Sequence, residues 1–316
     1  SRSALSSTRA REPRRWSHPR AEAMPPPRLA LFLNPWGASS FSRHLPTLLT
    51  EASKRGYDGV EMSLSDLGAD PAARRATSDM IAEHGMRLIL GLYSGWDDYE
   101  GPWTPSSPGA HVSQLEEQLK QAERLGSVVT HLNVHSGCDS WDERGAMAYF
   151  NDALPLTSAF LDANPHVGAA SREVDTHGSS PTHLTGISHE THRGRILHHP
   201  YAALRLLETF PPLRLTADLS HWHLVCERLI GQDDPEERSE LHDNITYNVD
   251  HVHARIGGTQ ASQLPPETHA PTSPVAAAER AAATASHEAL WRACWAHKAA
   301  RGVAEVTVTP EYGPYP

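Results

Sequence analysis

Eight short apolar runs recur along this chain, and the segments between them repeat their apolar residues at helical spacing. The runs are RLALFLN (28–34), DGVEMSL (58–64), RLILGLY (87–93), VVTHLNVH (128–135), LTGISHE (184–190), LRLTADL (213–219), VDHVHARIG (249–257) and AEVTVTPE (304–311). Helices are expected over 44–56, 72–85, 111–126, 145–164, 201–210, 237–248 and 274–302, with Pro155 kinking or splitting the fourth. Strands apolar on both faces belong to a parallel sheet covered by helices. Eight such units in 316 residues predict one α/β domain, a closed (β/α)8 TIM barrel, rather than an open doubly wound sheet. NPWGASS, after the first run, is no glycine fingerprint for a dinucleotide, which points the same way. The sequence stops at Pro316, just past the eighth run, so the eighth helix is expected to be missing or truncated, leaving an uncovered strand that a homodimer could shield.

The chain before the first run has a different character. Six Arg and only two acids precede Met24, which fits an organellar transit segment or an extension ahead of a start at Met24. Residues 1–24 are therefore set outside the fold, and the barrel domain is expected over 25–316. A net charge of −10 argues against a nucleic-acid partner, because phosphate neutralisation needs a surplus of Lys and Arg. No apolar run approaches the roughly 20 residues that span a bilayer. Cys138, Cys226 and Cys294 form no CxxC pair, so neither a disulfide framework nor a thiolate zinc site is indicated. They fit reduced thiols in an intracellular protein, cytoplasmic unless the Arg-rich start is a transit segment.

In a barrel of this kind, chemistry sits at the C-terminal ends of the strands. Read in order, those ends offer Asn34 and Trp36, Glu61, Tyr93 and Trp96, His135, Glu190 with His192 and Arg193, Asp218 with His221, His253 with Arg255, and Glu311. Glu190, Asp218, His253 and Glu311 close the last four runs, which are neighbours around the barrel. Three carboxylates converging beside an imidazole would repel one another, and a divalent cation resolves that repulsion. The mainly oxygen donor set suits Mn2+, Mg2+ or Co2+ better than Zn2+. Any one of these residues alone would ordinarily be a helix cap or a hydrogen-bonded core group; their common register at strand ends makes the metal reading. His251 shares a strand face with His253, and the sequence leaves the choice between them open.

Six motifs carry a resemblance: YDGVE (57–61), HLNVHSGCDSW (131–141), SHETHRGR (188–195), ADLSHWH (217–223), HVHARIG (251–257) and VTPEYGP (308–314). With them the chain from about Arg28 to Tyr315 resembles the xylose-isomerase-like TIM-barrel superfamily. It is closest in style to the sugar phosphate isomerase/epimerase group, which includes ketose 3-epimerases, inosose dehydratases and hydroxypyruvate isomerases. By that resemblance Glu190, Asp218, His253 and Glu311 match the metal ligands, and His221 matches a substrate-binding histidine. The resemblance implies an enzyme acting on a small carbohydrate, in which a chelated carbonyl and hydroxyl acidify the C–H between them and Glu190 and Glu311 serve as paired acid and base. Isomerisation or epimerisation would follow, or, with expulsion of a β-hydroxyl, dehydration by a lyase. His135 and Trp36 join the expected substrate-binding set; Trp36, Trp96 and Trp141 are candidates for a wall against a sugar face or for rim packing.

Two departures from the ketose 3-epimerase pattern stand out. Ile196 occupies the place of a second Glu, and Thr259 that of a substrate Arg. Arg193 and Arg255 stand elsewhere, and guanidinium prefers carboxylate or phosphate. An anionic substrate is therefore expected, a sugar acid, keto acid or sugar phosphate, the alternative being that Arg193 pairs with a ligand carboxylate. An endonuclease-IV-like DNA repair enzyme is disfavoured. His135 resembles one of that family's extra ligands, but GLYSGW ends without the expected His and no Asp-x-His follows the seventh run.

Overall fold

The computed structural model describes residues 26–38, 44–94, 107–171, 185–231, 235–266 and 269–313; the 1–24 segment and Trp96 lie outside the described residues. Eight parallel strands pair in chain order and close on themselves: β1 (Arg28–Leu33), β2 (Gly59–Ser63), β3 (Arg87–Tyr93), β4 (Val129–His135), β5 (Ile187–Glu190), β6 (Leu215–Ala217), β7 (Val249–His253) and β8 (Glu305–Thr309). Pairing of Arg28 with Glu305 and Leu31 with Val308 closes the ring. The chain is thus a TIM barrel. Helices fill the crossovers, the longest being Pro274–Ala300 between β7 and β8, and among the described residues none follows β8. Several begin on a side-chain cap: Asp70, Ser107, Asp142 and Ser273 each accept from the amide three residues on, a contact worth about 1 kcal/mol. No helix among the described residues is long and apolar enough to cross a membrane.

The elements differ from the sequence reading where local chemistry competes with periodicity. The run 213–219 yields only three strand residues, because Asp218 caps a helix, Leu219–Val225, its side chain accepting from the Ser220 amide. The expected helix 237–248 breaks into Pro235–Glu240, a π turn at Leu241–Ile245 and a 3-10 turn at Thr246–Asn248, where residues of modest helix propensity lead into β7. Pro155 does not split its helix, which runs unbroken from Glu143 to Ala163. Pro155 and Asn151 are both exposed, so the carbonyl deprived of its amide partner can face water.

Alternation along the strands sends apolar side chains outward to the helices and polar ones into the barrel. Val60, Leu88, Leu90, Leu132, Val134 and Val252 belong to the buried outer core. Inside, His131 bonds Ser188 (2.6 Å), Ser188 bonds Thr216 (2.6 Å), and His251 bonds Thr307 (2.8 Å). Beside them Ala30, Phe32 and Ile89 form a small apolar cluster, Ala30 in register with Thr307 and Ile89 with His131. Arg87 reaches Glu305 at 2.6 Å and Arg28 reaches Asp58 at 2.6 Å, tying the N-terminal strand ends together. The interior is a hydrogen-bonded column, unlike the branched apolar layers usual in such barrels.

Candidate active site

The top layer of that column holds the four carboxylate and imidazole groups singled out in the sequence. Glu190 ends β5, Asp218 follows β6, His253 ends β7, and Glu311 stands two residues past β8. One donor atom from each lies within 4.8 Å of every other. His251 is one layer lower, held by Thr307, so of the two histidines it is His253 that joins the quartet. Two further triplets with such spacing, Glu61–His251–His253 and His135–Glu190–His192, each share a residue with it.

Three of the four are held by hydrogen bonds. Asn133 Nδ2 donates to Glu190 Oε2 at 2.8 Å and to Glu61 Oε1 at 3.2 Å, and His135 Nε2 lies 2.6 Å from Glu190 Oε2. Asp218 Oδ1 accepts from the Ser220 amide (3.1 Å) and hydroxyl (2.5 Å), while its Oδ2 pairs with Arg255. His253 Nε2 meets Glu61 Oε1 at 2.9 Å. Glu61 Oε2 faces His251 Nε2 at 3.2 Å and accepts from the Thr309 hydroxyl. Glu61 thus fixes the face that His253 turns to the quartet, a carboxylate–imidazole pairing typical of metal-ligating histidines.

The donor chemistry fits a divalent ion. His253 Nδ1 and Glu311 Oε2 are buried, 3.1 Å apart, and neither makes a hydrogen bond among the described residues. His253 Nδ1 also lies 3.7 Å from Glu190 Oε2. Burial alone would lower the His253 pKa, yet Glu61, Glu190 and Glu311 hold it well above the usual value. Burial pushes the Asp218 carboxyl up to about 7, with Arg255 opposing and Glu311 and Glu190 adding to the rise. Burial would raise Glu190 too, but His135 and His253 hold it well below the ordinary carboxylate range. Such opposed shifts within one cluster mark groups that compete for positive charge.

Above the quartet opens a cavity of about 560 Å³, whose lining includes Trp36, His135, Arg193, His221, Arg255 and Glu311. Every residue expected to bind substrate therefore reaches it. Trp36 lies over Gly313, where even a methyl group would collide with the ring. Trp141 does not reach the cavity; it packs edge-on against His111 at 4.7 Å and lines a separate pocket with Cys138. The expected alternative pairing is reversed: Arg255, not Arg193, engages a carboxylate of the quartet, and the exposed Arg193 guanidinium makes no hydrogen bond or ion pair among the described residues. Arg195 is buried in backbone contacts with Ser94 and Gly137. A row of rings continues from Tyr93 through His135 (4.4 Å) and His192 (4.9 Å) to His221 (4.0 Å). Burial holds His192 and His221 well below the ordinary imidazole range. The sequence reading gave no role to Glu61, Asn133 or Ser220. Asn133 precedes His135 by two and so shares its strand face, and Glu61 stood among the strand-end groups, so both carried a signal; Ser220 has none.

The sequence matches no protein family and no curated protein. The fold does match solved structures. Family 2 AP endonuclease from Brucella melitensis shares 13% identity, covers 90% of this chain and 93% of its own, and aligns with a TM-score of 0.54. The chain shares the barrel fold of that enzyme. A D-allulose 3-epimerase from Methylomonas sp., solved with D-allulose, shares 16% identity over 92% of this chain and 86% of its own, with a TM-score of 0.51. A probable 3-DHS dehydratase from Bacillus anthracis shares 10% over 90% and 92%, again at 0.51. All three are enzymes, and they catalyse different reactions on one barrel, so the likeness carries the fold and leaves the reaction to the site.

Proposed function

We propose that this protein is a divalent-metal-dependent isomerase or epimerase of a sugar or sugar derivative. The observation that carries the reading is the convergence of Glu190, Asp218, His253 and Glu311 beneath a cavity large enough for a monosaccharide. Mn2+, Mg2+ or Co2+ held by these four would withdraw electron density from a carbonyl and its neighbouring hydroxyl and stabilise the charge left when the carbon between them loses a proton. Glu311 lines the cavity and its Oε2 is free of hydrogen bonds, so it is the base for that carbon. Glu190 lies deeper, but His135, 2.6 Å from it, lines the cavity and can pass a proton between Glu190 and substrate. His221 Nε2 and Trp36 position the sugar, and the unpaired Arg193 at the cavity wall suits a carboxylate or phosphate substituent.

A DNA substrate is opposed by the net charge of −10. The test is incubation of the metal-loaded protein in D2O with a panel of sugars, sugar acids and sugar phosphates. Deuterium on the carbon next to a carbonyl is expected, with loss of water instead marking a dehydratase. Cleavage of abasic-site DNA with no exchange into any sugar would refute the proposal.

A further inference from the structure

Arg255 lies two residues past the end of β7, and its side chain folds back into the quartet. Its Nη2 pairs with Asp218 Oδ2, donates to His221 Nε2 at 2.8 Å and stands 3.6 Å from Glu311 Oε2. Its Nε donates to Ser220 Oγ at 3.1 Å, and that hydroxyl donates to Asp218 Oδ1 at 2.5 Å. Only 5% of the residue is exposed. Both Asp218 oxygens are thereby engaged, Oδ1 by Ser220 and Oδ2 by Arg255. One guanidinium nitrogen touches two ligand carboxylates and the histidine expected to meet substrate.

An ion bonded to Asp218 at roughly 2.1 Å would come within a few ångströms of this nitrogen. Two cations so close repel strongly in a buried site that water and salt screen poorly. We infer that Arg255 is a tethered competitor of the divalent cation, neutralising Asp218 and Glu311 until the ion loads and drives the guanidinium off Asp218 and His221 into the cavity. The inference rests on the quartet being the metal site. It makes binding ordered. His221 Nε2 becomes available to a substrate oxygen only after the ion has arrived, and the displaced guanidinium is then free to join Arg193 at the cavity wall, which both already line.

The rival role is opposite in sign. A guanidinium that stayed on Asp218 and oriented it would strengthen ligation, and its removal would weaken metal binding. The test compares the native chain with Arg255→Met and Arg255→Lys. Each is stripped with chelator, its Mn2+ dissociation constant is read by competition with a fluorescent chelator, and its thermal unfolding is followed by circular dichroism with and without Mn2+. Arg255→Met is expected to bind Mn2+ on the order of tenfold more tightly, since it removes a charge beside the ion. Without metal it should unfold at lower temperature than the native chain and gain more from Mn2+. Arg255→Lys, which keeps the charge, should stay close to native affinity. Equal or weaker binding by Arg255→Met, or equal tightening by the lysine variant, would overturn the inference while leaving the metal site standing. Binding by none of the three chains would sink both. Should Arg255→Met fold only with Mn2+ present, its affinity is read by extracting the ion from the loaded protein, under the same criterion.

Discussion

Glu61 offers the sharpest way to perturb the site without touching a proposed ligand. Its carboxylate receives His253 at 2.9 Å, His251 at 3.2 Å, Asn133 at 3.2 Å and the Thr309 hydroxyl. A neutral imidazole has one donor and one acceptor nitrogen. With an ion bound the ring would be neutral, Glu61 claiming its donor at Nε2 and leaving the Nδ1 lone pair for the ion. Replacing Glu61 by Leu frees the ring to take the other tautomer or to turn. Losing such an orienting partner costs about 10- to 100-fold in metal affinity, or about 1.4 to 2.7 kcal/mol. The same change strands buried donors, each costing about 1 to 3 kcal/mol of stability, so the thermal midpoint should fall as well. Glu61→Gln separates the two effects, because the amide oxygen still accepts from His253 while its NH2 can donate to His251. The assay is Mn2+ titration of chelator-stripped protein, with circular dichroism to verify folding. We expect Glu61→Leu to lose at least about tenfold in affinity and Glu61→Gln to retain most of it. A folded Glu61→Leu chain that binds Mn2+ as the native chain does would show that Glu61 does not set the orientation of His253.

Two further outcomes follow from other features. Arg193→Ala should raise KM for an anionic substrate with little change in kcat or in Mn2+ affinity, and loss of bound metal would contradict direct substrate contact. Acid lability is also expected. Burial holds His131 and His189 to about 3 and His287 to about 4, so below pH 6.5 the unfolded chain takes up protons that the folded chain refuses. Stability should therefore fall as pH drops from 6.5 toward 4, by about 2 kcal/mol per histidine at pH 5. Unfolding midpoints that stay level between pH 7 and 5 would contradict this.

The barrel was legible because eight strand-length runs alternate with helical segments and because caps and glycines punctuate the helices, although the inner strand faces, expected to be apolar, proved polar. The quartet was legible for a related reason: a barrel delivers strand ends to one rim, so register in sequence becomes proximity in space. What sequence could not supply was pairing across the barrel. Glu61 is separated from His253 by 192 positions, and nothing in YDGVE marks its partners. Arg193 lies nearer in sequence to a ligand than geometry warrants, since the chain after β5 carries it to the cavity wall. Arg255, beyond β7, reaches over to Asp218 at the end of the neighbouring β6. β6 itself proved short because an acid at a strand end can cap the next helix, a competition that hydrophobic pattern does not register.

The column of imidazoles and hydroxyls through the middle of the barrel means that what braces this protein and what equips it for chemistry are the same stack of side chains. Filling the centre with hydrocarbon, the usual route to a tougher barrel, would here remove the footing of the candidate site at the rim. Any effort to harden the molecule belongs on its outer shell, where helices meet the backs of the strands and the reacting groups would not feel the change.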